Sequence, residues 1–217
     1  MPRQPRIEYP DALYHVTSRG DRQQPIFADD GDRGLLLAIV SDALSKFDAR
    51  AFAYCLMGNH FHIVLRTRRA NLSKVMHHIN GRYTHAFNKR HALVGHVFQG
   101  RYHDILVESD PYLQTLCAYV ERNPVRAKLA SRPHEWPWSS FRSHLGITRR
   151  PEWLASTELL AMILGRDLLT KADHQSAIAA YDSLVSSAPD APTWQQDLRK
   201  GRFLGGNDFE NWCMTRA

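Results

Sequence analysis

His60-Phe61-His62 is the pattern in the chain with the most chemical content. Side chains alternate along a strand, so the two imidazoles share one face while Phe61 and Ile63 share the other. Two neutral imidazoles about 7 Å apart at Cα can bind one divalent metal. Tyr119 and Asn123 are four residues apart, which places them on one face of a helix. An amide oxygen from Asn123 suits a hard cation such as Mg2+ or Mn2+ and would add a third metal ligand to His60 and His62. Tyr119 beside such a site is a candidate catalytic nucleophile. A phenol is weak in that role at neutral pH, and a metal that polarises a phosphate oxygen removes much of the handicap. The same residues also have a plainer reading. The histidines can sit on a solvent-facing strand without metal, Asn123-Pro124 can cap a helix C-terminus, and Tyr119 can be a core aromatic.

The elements that must position these groups follow from patterning. Ala12 to Ser18 reads as a strand, ended by Arg19-Gly20-Asp21. Asp29 and Asp30 suit the N-cap of a helix from about Gly31 to Phe47, where Leu35, Leu36, Ile39, Ala43 and Leu44 recur at helical spacing. Ala49 to Leu56 and Phe61 to Thr67 are β-rich runs joined by Met57-Gly58-Asn59, which predicts a hairpin. Asn71 caps a second helix from Leu72 to about Lys89, and Tyr102 to Val107 is a further strand. Ser109 or Asp110 caps a third helix, with Pro111 near its first turn and an end expected at about Arg122, because Pro124 stops or kinks it. The order β-α-β-β-α-β predicts an α+β fold: a ferredoxin-like split antiparallel sheet with two helices on one face and the third helix across the open side. A Pro- and Trp-rich stretch from Arg132 to Trp138 precedes a short helix, Ser139 to His144. Thr148-Arg149-Arg150-Pro151 marks a boundary between a domain over 1–148 and a helical C-terminal extension over 149–217. Helices are expected there at Trp153 to Leu164, Lys171 to Ser187 and near Asn207 to Met214. Trp194, Leu198 and Trp212 are candidates to pack against the first domain.

With 217 residues, 43% hydrophobic and 23% charged, the composition excludes disordered, collagen-like and low-complexity classes. No apolar run approaches the roughly 18 residues that span a bilayer, and no apolar segment follows Met-Pro-Arg-Gln-Pro-Arg, so neither a membrane partner nor a secretory signal is expected. Three cysteines fit neither a disulfide framework nor a zinc ribbon, and a cytoplasmic location is expected. The formal net charge is +6 with a pI of about 9.4, and its distribution is uneven. Residues 1–150 carry 22 basic and 13 acidic side chains, whereas 151–217 carry 6 and 9. Between Asp48 and Asp104 there is no Asp or Glu, while nine Lys or Arg and eight of the twelve histidines fall there. Such a stretch suggests a face that meets a polyanion, with nucleic acid the usual one. Chance and a buried pair of strands would give the same composition.

Four segments together resemble a known family: Tyr14-His15-Val16-Thr17-Ser18-Arg19-Gly20, Met57-Gly58-Asn59-His60-Phe61-His62, Phe98-Gln99-Gly100-Arg101-Tyr102 and Tyr119-Val120-Glu121-Arg122-Asn123-Pro124-Val125-Arg126. They cover roughly residues 9–145. The histidine pair resembles the metal motif of HUH single-strand nucleases, and the whole resembles the single-tyrosine transposases of bacterial insertion sequences. Asn at 123, where the classical branch tends to carry Gln, favours the REP-associated tyrosine transposases. The resemblance implies an HUH nuclease fold with His60, His62 and Asn123 as ligands of Mg2+ or Mn2+. It implies that Tyr119 attacks a phosphodiester of single-stranded DNA, giving a 5′-phosphotyrosine link and a free 3′-OH. No nucleotide cofactor is then needed. The implied partner is a DNA hairpin such as a repetitive extragenic palindrome, in a bacterial cytoplasm and associated with the nucleoid when bound. The protein would act as a monomer or a homodimer.

Arg19, Arg66, Arg68, Arg69, Lys74, Arg82, Lys89, Arg90 and Arg101 are then the candidate DNA-binding residues, through phosphate contacts. Tyr83, Phe87 and Tyr102 are candidates to stack unpaired bases, with core packing as the plainer role. His15 and Thr17 form an H-x-T, which the 2H phosphoesterases use twice, but the second motif here is His60-Phe61-His62. A hairpin-binding protein without effective catalysis is the alternative from a different class, and a mobile transposase proper is a variant of the same chemistry.

Overall fold

The computed structural model describes residues 6–108, 110–189 and 193–216. Its elements run β1 (Ala12–Arg19), α1 (Asp30–Lys46), β2 (Ala49–Leu56), β3 (His60–Thr67), α2 (Leu72–His91), β4 (His103–Val107) and α3 (Asp110–Arg126). They continue as α4 (Phe141–His144), α5 (Ser156–Leu164), α6 (Lys171–Ser187), β5 (Leu198–Arg199), β6 (Phe203–Leu204) and α7 (Asn207–Met214). The first four strands lie in the order β2-β3-β1-β4, all neighbours antiparallel, as the split β-α-β-β-α-β arrangement requires. Asp29 caps α1 as expected, its side chain accepting from the Asp32 N–H at 3.0 Å. Asn71 stands at the N-cap of α2, but its side chain donates to the Phe47 carbonyl at 2.8 Å instead of capping. The proposed cap at Ser109 lies outside the described residues.

Two apolar layers sandwich the sheet. Tyr14, Val16, Phe61, Ile63 and Leu65 face α1 and α2, with Leu36, Val40, Val75 and Ile79 opposite. Leu13, Val64 and Ile105 face α3, α5 and α6. On β2 the alternation breaks: Ala51 pairs with Leu65 and Ala53 with Val64, a bulge that turns both Phe52 and Ala53 towards α3. The burial of Phe61 and Ile63 on one side therefore leaves His60 and His62 on the α3 side, as the strand period predicts.

Two expectations need correction. Pro124 does not end α3 at Arg122: the helix continues through it to Arg126. A proline costs the helix one N–H and crowds the preceding turn, and here the helix is held by what it buries. The segment after 148 is also not helical throughout. β5 and β6 form a short antiparallel pair, and β6 runs parallel to β4, extending the sheet to six strands. The edge of β4 presents unpaired backbone groups that this pair covers; a two-residue strand carries no periodicity from which to predict it.

The burial that holds α3 centres on a carboxyl. Glu121 has no exposed surface. Tyr181 of α6 donates to its Oε2 at 2.7 Å, Ser140 bonds to its Oε1, and His144 Nε2 of α4 lies 3.3 Å away. Ser140 Oγ also accepts from the Tyr54 N–H, and His144 bridges the Phe52 carbonyl and Ser156 Oγ at 2.9 and 2.7 Å. One cluster thereby ties α3 to β2, α4, α5 and α6. Burial pushes the Glu121 carboxyl up to about 8, only partly opposed by Ser140 and Tyr181. Burial also drives His144 down to about 3. Both groups are neutral near pH 7, so no bare charge is buried.

Glu121 makes stability depend on pH. Between the ordinary carboxylate range and pH 8 the native state keeps a proton that the unfolded chain has lost, so stability falls as pH rises. In thermal unfolding between pH 6.5 and 8, the Tm of the wild type is expected to fall relative to that of Glu121→Gln as pH rises, a difference in which the contribution of the buried neutral imidazoles cancels. An equal slope in both would refute the assignment.

Candidate functional site

His60 and His62 share the α3 face of β3, with ring centroids 5.0 Å apart. His60 Nδ1 lies 2.7 Å from Asn59 Oδ1, and Asn59 Nδ2 donates to the Gln23 carbonyl at 3.0 Å. That second bond fixes the amide, so Nδ1 of His60 is the donor and Nε2 carries the lone pair. Asn59 is placed by the β2–β3 turn, whose carbonyls at Gly58 and Asn59 accept from Ile26 and Gly20. His62 Nδ1 meets His15 Nε2 at 2.9 Å and Thr17 Oγ1 at 3.0 Å. In the tautomer where Nδ1–H donates to one of these, Nε2 of His62 is also bare.

His15 and Thr17 come from β1, where Thr17 lies directly opposite His62 in the antiparallel register. His15 is buried, and its ring lies edge to edge with that of His62 and nearly coplanar with it, the centroids 5.1 Å apart. Its other neighbour is Tyr119, edge-on at 6.5 Å. A run of rings therefore connects the two strand histidines through His15 to Tyr119. Burial lowers all three imidazoles: His15 to about 3, His60 to about 4 with Arg19 adding to the effect, and His62 well below its usual range. Neutral rings are the form in which imidazole binds a metal.

Tyr119 is half-buried on α3. Trp194, from the segment after α6, packs edge-on against its ring at 5.1 Å, and a small cavity of about 160 Å³ lies beside the pair, lined also by Thr115, Leu184 and Pro189. Arg126 lies over the same ring, its Cζ 4.4 Å from the centroid. Its Nη1 donates to Asn123 Oδ1 at 3.2 Å, and it is near enough to His62 to help depress that imidazole. Among the described residues no three His, Cys, Asp or Glu side chains converge as a metal site. Asn123 lies on the same helix as Tyr119, and two imidazoles plus an amide are a donor set of the type that suits a divalent cation completing its shell with phosphate oxygens or water. His15, Thr17, Arg126 and Trp194 were not among the candidate site residues. The H-x-T on the strand paired to the histidines was the available signal for the first two.

The basic residues scatter further than their sequence window suggests. Arg19 ends β1 directly opposite His60 and is exposed beside the site. Lys89 and Arg101 line an open groove of about 1210 Å³ between α2 and residues 93–102, with Arg6, His77, His85 and His96. That groove wall is joined to β1 by the Gln99 N–H to Arg19 carbonyl bond at 3.1 Å. Lys74 and Arg82 are exposed on α2. Arg66, Arg68 and Arg69 lie at the other end of β3, about 20 Å along the strand from His60 at ~3.3 Å per residue. The window is not acid-free in space. Arg66 bonds Glu158 at 2.7 Å, Arg90 bonds Asp29 and Asp32, and Arg69 is 3.8 Å from Asp48. Tyr83, Phe87 and Tyr102 are all buried, so they do not stack on bases. Residues 76, 79, 83 and 87 follow the helical period that forms the core face of α2.

The structure resembles that of a REP-associated tyrosine transposase bound to a REP hairpin, with a TM-score of 0.59 and 16% identity over 71% of this chain and 92% of that one. A tRNA(His) guanylyltransferase from Saccharomyces cerevisiae aligns at a TM-score of only 0.36, with 11% identity over 78% of this chain and 84% of that one, too low to support an argument. None of the curated proteins matches the chain. No helix among the described residues is long and apolar enough to cross a membrane. The family model described as "Transposase IS200 like" matches residues 8–123, more than half of the chain and the part that contains the histidine pair, Tyr119 and Asn123. The chain belongs to the IS200-like transposase family, a family of DNA-processing enzymes.

Proposed function

We propose that the protein is a metal-dependent single-stranded DNA endonuclease and strand transferase that acts at hairpins such as repetitive extragenic palindromes, through the domain over 1–148. The observation that carries this reading is the run of rings from His60 and His62 through His15 to Tyr119, with Nε2 of His60 left for a ligand. The hairpin as partner is supported by the REP hairpin in the structural relative and by the groove that carries Lys89 and Arg101.

His60, His62 and Asn123 would hold Mg2+ or Mn2+, and the cation would polarise a non-bridging oxygen of the scissile phosphate. Tyr119 Oη attacks phosphorus, the bond from phosphorus to the 3′ oxygen breaks, and in the balance the phenol proton passes to that oxygen. The products are a 5′-phosphotyrosine and a 3′-OH. One phosphodiester is exchanged for another, so no nucleotide cofactor is required, and attack by a 3′-OH on the adduct rejoins a strand. Asn59 orients His60, while His15 and Thr17 orient His62. Arg19, opposite His60, and Arg126, against the Tyr119 ring, would supply positive charge to the phosphate. Lys89 and Arg101 in the groove, and Arg68, Arg69, Lys74 and Arg82 beyond it, take further phosphates. Arg66 and Arg90 would do so only by releasing Glu158, Asp29 and Asp32.

Incubation with a labelled hairpin and Mn2+ is expected to give a covalent protein–DNA adduct in denaturing gels, absent in Tyr119→Phe and with EDTA, and strongly reduced in His62→Ala. An undiminished adduct in Tyr119→Phe would refute the nucleophile. Binding without any adduct in the wild type would favour a hairpin-binding role.

The phosphate contacts carry their own test. Raising monovalent salt from about 50 to 200 mM is expected to weaken hairpin binding roughly tenfold or more. Lys89→Ala with Arg101→Ala should lower both the affinity and the steepness of that dependence, as read by fluorescence anisotropy.

A further inference from the structure

Pro124 is buried inside α3, one residue after Asn123. Proline has no N–H, so the Val120 carbonyl four residues earlier has no backbone donor at the i+4 position. The Asn123 side chain takes that place: its Nδ2 donates to the Val120 oxygen at 3.2 Å. The other end of the amide, Oδ1, accepts from Arg126 Nη1 at 3.2 Å. Reversing the amide would set oxygen against the carbonyl and the NH2 group against the guanidinium, so both partners enforce one orientation.

We propose that Pro124 is a positioning residue for the metal centre: the vacancy it leaves on the Val120 carbonyl captures the Asn123 NH2 group and thereby presents Oδ1 as the oxygen donor. An alanine at 124 would restore the backbone N–H, close the vacancy and free the amide to rotate. Arg126 holds the same amide from its oxygen end, its Nη1 3.2 Å from Oδ1. The inference rests on the reading of Asn123 as a metal ligand.

The test is calorimetric titration of Mn2+ into the wild type, Pro124→Ala, Asn123→Ala and the double variant, with Tm measured for each. Pro124→Ala is expected to weaken Mn2+ binding about tenfold, the usual scale for residues that orient a ligand. Its Tm should be unchanged or higher, since proline is the poorest residue for a helix interior. The double variant should bind no more weakly than Asn123→Ala alone, because Pro124 acts through Asn123. Wild-type affinity in Pro124→Ala, full additivity in the double variant, or a loss of affinity accompanied by a lower Tm would each overturn the proposal. Wild-type affinity in Asn123→Ala would instead refute Asn123 as a ligand.

Discussion

The neutral carboxyl of Glu121, sealed among Ser140, Tyr181 and His144, is the contact on which the position of α3 depends. A helix turns about 100° per residue, so Tyr119 and Asn123 lie within about 40° of each other, and Glu121 is roughly 160° from both. Burying Glu121 on one flank of α3 therefore aims Tyr119 and Asn123 from the other. The cost of burying a carboxyl is met by protonation and by hydrogen bonds from elements on both sides of the boundary near residue 148. Tyr181 and Ser156 belong to the C-terminal segment, so that segment takes part in setting the helix that carries Tyr119. Trp194 adds a direct contact to the Tyr119 ring.

The electrostatics of the site are set for an anion. His15, His60 and His62 are neutral, and the charged groups nearest to them are Arg19 and Arg126. A cation held by two imidazoles and an amide keeps its whole charge, because no donor in that set is anionic. In the proposed reading the negative charge would come from the ligand, and a phosphodiester would supply it. The second layer is equally specific: each strand histidine has Nδ1 engaged, by Asn59 or by His15 and Thr17.

Much of this arrangement was legible in short-range patterns. The hairpin, the face shared by His60 and His62, the spacing of Tyr119 and Asn123, and the helices at Lys171–Ser187 and Asn207–Met214 all follow from period, capping and turn residues. Patterns failed where a residue has two local meanings. Pro124 reads as a helix stop, yet the buried side of α3 carries the helix through it and the Asn123 amide caps the orphaned carbonyl. Tyr83 reads as a stacking aromatic in a basic segment, yet its hydroxyl donates to the Ile26 carbonyl within the core. β5 and β6 are too short to read, and the open edge of β4 is what organises them.

The sequence by itself determined which groups are available and which faces they share, because alternation in strands and the turn of a helix are local properties of the backbone. Only the tertiary structure decided what those groups meet. The acid-free window from 49 to 103 is neutralised in part by Asp29, Asp32, Asp48 and Glu158, which lie outside it in sequence and against it in space. His15 joins the site because antiparallel pairing sets β1 beside β3 in one register, and Arg126 joins because α3 runs two residues past its proline. Burial then removed the charge from the imidazoles and from Glu121. Protonation depends on desolvation by distant segments, and no stretch of sequence contains that information.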